Sequence, residues 1–185
     1  MSAQCQNCNR RSGLGHSGFS LTELLIVVAI IGIIAAIAVP AMLRARRTAN
    51  EAAAIGSLRA LNSAEGSYAA AAGKGGFAAL LATLATPCPG GSAAFISPDL
   101  SIDPAVKSGY TVTMAPSASS SPGPADCNGV ATITAYYTTA VPVSAGMSGL
   151  RAFASSGSGA IFFDATGVAP TEAQMAPGGG GTTIQ

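Results

Sequence analysis

Charge is scarce in this chain. Asp, Glu, Lys and Arg make up 9% of 185 residues, while 49% are apolar; aromatics are 5%, with no tryptophan. A freely soluble domain carries about 25% charged residues, so much of this surface is expected to face something other than water. The single histidine, His16, lies near the amino terminus. The body is therefore left without one for a nucleophilic triad or a histidine-ligated metal. No basic patch is dense enough for a phosphate footprint, so no nucleic-acid binding is expected. Lys74, among Gly73, Gly75 and Gly76, lacks the Gly-x-x-x-x-Gly-Lys-Ser/Thr frame of a phosphate loop. Asp99, Asp103, Asp126, Asp164 and Glu172 are scattered among proline and glycine turns. They show neither calcium-loop spacing nor a substrate motif beside a carboxylate pair, and capping of turns is the expected role. The chain reads as a non-enzyme with no metal and no cofactor.

What it does have is the stretch Gly18 to Pro40, GFSLTELLIVVAIIGIIAAIAVP, with no charge from Leu24 to Val39. At about 1.5 Å per residue a helix over 19–39 reaches about 30 Å, the thickness of a bilayer's hydrocarbon core. Glu23 stands at its head. A carboxylate in such a segment costs about 2.5 to 3.5 kcal/mol at the helix centre and less near the interface, so it implies a cationic partner.

Gly18, Phe19, Glu23 four positions on, and the apolar run with Gly32 and Pro40 resemble the amino-terminal motif of the type IV pilins and the type II secretion pseudopilins. The resemblance is carried by 18–40 and extends along the helix to about Tyr68. It implies that a prepilin peptidase cuts after Gly18 and methylates the new amino terminus at Phe19. It further implies that Glu23 pairs with the amino-terminal charge of a neighbouring subunit as a filament grows.

On that reading residues 1–18 are a cleaved leader. Arg10, Arg11 and His16 precede the apolar run, and positive charge on that flank marks the cytoplasmic side, sending the body across the membrane. Without the two arginines, seven basic side chains face eight acidic ones. Cys5, Cys8 and His16 offer three ligands where a zinc site wants four. An ordinary secretory signal is the alternative, with Ala36-Ile37-Ala38 as its cleavage site. The run is long for a signal core, however, and an acidic residue at its head has no use there.

Residues 19–40 are thus expected as the membrane and polymerisation helix, and 41–72 as its continuation, kinked where Pro40 removes one backbone hydrogen bond. Small residues, Ala29, Gly32, Ala35, Ala36 and Ala38, either let such helices approach closely or merely favour helix. Past Pro40, Ile55, Leu58, Leu61 and Tyr68 form one narrow apolar stripe, with Arg44, Arg47, Glu51, Arg59 and Glu65 largely elsewhere. Gly73 to Gly76 stops the helix, and Phe77 to Thr86 reads as a short helical piece. Residues 73–175 form a globular head. Strands are expected at Tyr110–Met114, Val130–Thr138, Arg151–Ser155 and Ala160–Asp164, the last two joined by a turn at Ser156–Gly159. Ser117 to Pro124 is expected as an exposed connector, and 176–185, with four glycines in a row, as a disordered tail. The fold class is α+β, a long amino-terminal helix packed on an antiparallel sheet of about four strands.

With the leader gone, Cys88 and Cys127 are the only thiols left, in an oxidising compartment. A disulfide between them is expected, with two buried free thiols as the alternative. The resemblance implies a structural subunit stored in the inner membrane and polymerised into a cell-surface pilus. The implied partners are membrane lipid, the prepilin peptidase, an inner-membrane assembly platform with its ATPase, and other copies of the chain. The alternatives are a pseudopilin forming a short periplasmic piston, and a membrane-anchored binding domain that never polymerises. Adhesion, twitching movement, DNA uptake, secretion and electron transfer all stay open to such a filament, the few aromatics giving the last no support.

Intact-mass measurement of the mature chain is expected to give 19–185 plus one methyl group. A mass beginning at Val39, or one retaining Met1, refutes the filament reading.

Overall fold

The computed structural model describes residues 18–91 and 93–184. Cys5, Cys8, Arg10, Arg11 and His16 of the expected leader lie outside the described residues. The chain divides after Pro40 into two compact units, joined by one continuous helix, α1, Leu21–Ala71. In the first unit no described residue is buried. Apolar side chains from Leu21 to Val39 emerge on every side of the helix, which has no polar face.

The second unit builds its core on the remainder of α1. Glu51, Ala54, Leu58, Leu61, Glu65 and Tyr68 are all buried, at alternating steps of three and four that keep them on one face. Ile55, expected on this stripe, is half-buried at its edge. Glu51 and Glu65, expected largely off it, are on it. The helix ends as the glycines predict. Gly73 N–H reaches back to the Tyr68 carbonyl at 2.8 Å, and Lys74 and Gly75 take φ of 50° and 92°. A Cβ at Gly73 would lie 2.2 Å from the Gly76 carbonyl oxygen and 2.9 Å from the Tyr68 ring, so the turn closes only on glycine.

Over the stripe lies an antiparallel sheet of six strands in the order β1-β2-β5-β6-β7-β8: β1 Ala105–Lys107, β2 Tyr110–Pro116, β5 Tyr136–Pro142, β6 Ala152–Ser156, β7 Ile161–Asp164 and β8 Thr182–Thr183. A separate pair joins β3 Pro122–Ala125 to β4 Ala131–Ile133. The α+β class is as expected, but the strands number eight in two sheets rather than about four. The long β5 is the centre, pairing with β2 from Tyr110↔Pro142 to Pro116↔Tyr136 and with β6 from Tyr137↔Ser156 to Ala140↔Phe153. Tyr110, Val112 and Met114 turn inward from β2, at the strand period of two.

Four details correct the sequence reading. Val130–Thr138 is not one strand: the chain leaves β4 and enters β5 across Thr134 and Ala135, whose backbone groups bond to Ser121 and Ser117. Part of the expected connector is β3; Pro122 and Pro124 offer no N–H, which confines that segment to an edge pairing with a shifted register. The helix in 77–86 is only α2, Leu81–Ala85, because Phe77 bridges to Ile133 instead. The tail is ordered in part. After α3, Glu172–Met175, the chain returns so that Thr182 and Thr183 pair with Phe163 and Phe162, and Ile184 N–H bonds the Ile161 carbonyl at 2.8 Å. The open edge of β7 supplies the row of partners. The hairpin at Ser156–Gly159 forms as expected, with Gly159 N–H on the Ser156 carbonyl at 2.9 Å.

Cys88, after α2, is bonded to Cys127, before β4, with Cα atoms 5.5 Å apart and a separation of 39 in sequence. Closing a loop of this length contributes about 4 kcal/mol by the chain-entropy estimate. The double substitution Cys88→Ser/Cys127→Ser is expected to lower the head's unfolding free energy by about that amount, read by denaturant unfolding of the detergent-solubilised chain. An unchanged midpoint would show that the bridge closes a loop already held by packing.

Candidate functional site

The amino-terminal site starts from a local bond pattern. Ser20 and Glu23 satisfy one another: the Glu23 amide donates to Ser20 Oγ at 3.1 Å, and the Ser20 amide donates to Glu23 Oε2 at 3.0 Å. This reciprocal pair is a capping box, and it explains why α1 begins at Leu21 although the apolar pattern starts earlier. The sequence reading missed it, though the signal Ser-x-x-Glu was present. Gly18 and Phe19 lie before the helix, in non-helical backbone, with Phe19 81% exposed. The peptide bond between them is thus outside the helical hydrogen-bond ladder and open to an enzyme. Glu23 has one carboxylate oxygen engaged within its own chain. Among the described residues no salt bridge engages it.

From Leu21 the apolar surface is long enough to cross a membrane and none of it is buried. Nothing lies within 4 Å of where a Cβ at Gly32 would stand, leaving room there for another helix or for lipid. Pro40 lies inside α1. Cys88 and Cys127, the remaining predicted site residues, are brought together in the head.

Two glutamates on the buried stripe were not anticipated, and they are treated in opposite ways. Glu51 Oε1 accepts from the amides of Leu150 and Arg151 at 2.9 and 3.3 Å, and Oε2 from Arg151 Nε at 2.8 Å. Burial opposes its charge, yet these donors and the guanidinium hold its carboxyl below the ordinary value. Arg151 also lies over the Phe153 and Phe163 rings, 5.7 and 5.3 Å from their centres. Glu65, fully buried, has one donor, the Ala78 amide at 3.0 Å on Oε2, while Oε1 has no partner among the described residues. Burial pushes its carboxyl up to about 7. A protonated carboxyl suits this setting, since a lone buried carboxylate costs far more than a neutral acid. Nearby, Tyr68 donates to Asp126 Oδ2 at 2.8 Å, and Tyr136 to Asn62 Oδ1 at 3.1 Å. Burial, with the Glu65 charge adding to it, pushes the pKa of the Tyr136 hydroxyl up to about 12.

Residues 14–39 match the family model described as the prokaryotic N-terminal methylation motif. No curated protein and no solved structure matches the chain.

Glu65 makes the head's stability depend on pH. Its folded value, about 7, lies above the 4.5 of the unconstrained side chain, so between these the unfolded chain releases the proton that the folded chain keeps. The contribution is whole below about 4.5, declines as pH rises, and is gone above about 7. Glu65→Gln is expected to remove this decline, leaving the variant more stable than wild type at pH 8 relative to pH 4, as read by denaturant midpoints across that range. Parallel pH profiles for the two chains would show that Glu65 is solvated or paired when ionised.

Proposed function

We propose, on the premise that the methylation motif makes this chain a prepilin of the type IV pilin and pseudopilin type, that mature 19–185 is the structural subunit of a pilus-like filament. Cleavage after Gly18 frees the Phe19 amine. The observation that carries the reading is an apolar helical surface, wholly exposed from Leu21 to Leu43 and headed by one carboxylate. Lipid covers that surface while the subunit is stored in the membrane, and helices of other copies cover it in the polymer. The amide missing at Pro40 gives α1 a place to bend as it passes from one setting to the other.

Glu23 has two jobs on this reading. Within the chain it caps α1; between chains it receives the amino-terminal cation of a neighbouring Phe19. Two unit charges about 4 Å apart gain about 1 kcal/mol in water and about 4 at an effective dielectric of 20, so the pair matters only where water is excluded. A pseudopilin would use the same pair in a shorter periplasmic polymer. A monomeric anchor would use only the cap.

Glu23→Gln separates these jobs, because glutamine keeps the capping box while removing the charge. Cleavage after Gly18 and membrane insertion are expected to match wild type, and filament yield to fall at least tenfold, counted by electron microscopy of sheared cell-surface material beside the membrane-fraction protein. Filaments at the wild-type level in this variant would reduce Glu23 to a helix cap.

A further inference from the structure

The lower end of the head carries three arginines and a patch of exposed apolar residues that the filament reading does not use. Arg44, Arg46 and Arg47 follow the exposed apolar Met42 and Leu43. No acidic residue occurs between Glu23 and Glu51, and no salt bridge engages these arginines among the described residues. Stepping back from Glu51 by four and then three residues reaches Arg47 and Arg44, so both continue the stripe that faces the sheet.

On that side the loop 143–150 reaches down beside α1. It is pinned rather than loose. Asn50 Nδ2 donates to the Ser148 carbonyl at 2.8 Å, Leu150 N–H donates to Glu51, and Val143 N–H bonds the Gly109 carbonyl at 3.0 Å. Gly149 lets Tyr110 pass beneath it, for a Cβ there would lie 2.0 Å from the Tyr110 hydroxyl. Yet this fixed loop holds Met147, Val143 and Leu150 outward, 69, 58 and 53% exposed. Val168 is likewise exposed beside it, on a turn whose Gly167 would bring a Cβ to 3.5 Å from that of Ala145.

We propose that this end of the head is a membrane-surface contact, in which Arg44, Arg46 and Arg47 engage the phosphates of anionic phospholipids and Met147, Val143 and Leu150 dip into the headgroup layer. The proposal rests on the reading that the apolar part of α1 spans a membrane. Asn50, where the loop is pinned, is seven residues past Leu43, about 10 Å at about 1.5 Å per residue, and the polar layer of one leaflet occupies roughly 5 to 8 Å. Arg44, Arg46 and Arg47, one to four residues past Leu43, therefore fall within the headgroup layer. Three arginines beyond the distal end of a span also run against the usual preference for cytoplasmic positive charge, which calls for an offsetting contact there. A second copy of the chain fits less well. Of the head's acids Asp99 and Glu51 are already paired with Lys107 and Arg151, and Asp164 and Glu172 are held in local hydrogen bonds with Thr166 and with Ser117 and Ala118. Phosphates supply the anions that the chain does not.

The test uses the mature full-length chain in vesicles of phosphatidylcholine alone and of phosphatidylcholine mixed with phosphatidylglycerol. A nitroxide is placed by Met147→Cys or, at the opposite end of β2, by Ser119→Cys. The native cysteines, being paired, take no label. Collision with oxygen, which partitions into lipid, is compared with collision with a water-soluble nickel chelate. In the mixed vesicles the oxygen-to-nickel ratio at 147 is expected to rise several-fold while that at 119 stays aqueous. High salt, or Arg44→Gln/Arg46→Gln/Arg47→Gln together, should return 147 to its phosphatidylcholine value. An aqueous label at 147 in both vesicles overturns the proposal. So does spin–spin broadening that grows with protein density regardless of lipid charge, the sign of a second copy on the patch. A chain that fails to float with vesicles refutes the spanning reading itself, whereas one that floats with 147 in water refutes only the surface contact.

Discussion

One helix in this protein has to satisfy two solvents, and everything else follows from how it divides the task. Up to Leu43 α1 exposes apolar groups all round, which water tolerates poorly and which only lipid or other apolar helices can cover. From Glu51 a narrow stripe faces a sheet, and the opposite side is left polar enough for water. The sheet is thus a cover for a narrow strip rather than an independent core. It is laid on by β2, β5 and β6, the strands with inward Tyr110, Val112, Ala140 and Phe153.

Such a narrow seam makes each polar residue on it consequential. Glu51 sits at its lower end and is answered by two backbone amides and a guanidinium, so there the helix is fixed to the loop before β6 by charge. Glu65 sits two turns below the helix end and is answered by a single amide. The same residue type at the same helical phase therefore gives a permanent ion pair in one case and a proton-holding acid in the other. Access to donors decides the difference, the Glu51 side chain keeping 9% of its surface exposed and Glu65 being wholly enclosed.

How much of this was legible depended on the range of the interaction concerned. The apolar run, Glu23 at its head, the glycine stop after α1 and the Ser156–Gly159 hairpin are written in residues a few positions apart, and each has its physical signal there. The Cys88–Cys127 bridge could be read because elimination left only those two thiols. The two glutamates were missed although their steps of three and four match the apolar stripe, because only donors in other segments, Leu150, Arg151 and Ala78, make their burial tolerable. The split of Val130–Thr138, the strand made by Pro122–Ala125 and the pairing of Thr182–Thr183 likewise depend on partners in other segments, such as Ser117 for Ala135, Ile133 for Pro122 and Phe162 for Thr183, a range at which pattern carries little information.

The pinning of Asn50 and Glu51 to the loop before β6 has a mechanical meaning. A pull along α1 toward its amino-terminal end tries to slide the helix past the sheet, and the first attachments it meets are the Asn50 bond to Ser148 and the Glu51 clamp on Leu150 and Arg151. These are loaded side by side in shear and must give way together, whereas the apolar contacts of Leu58 and Leu61 above them can be traded one at a time for new ones as the helix slips. The head is thus latched to its stalk at the point where tension arrives, by its most directional bonds.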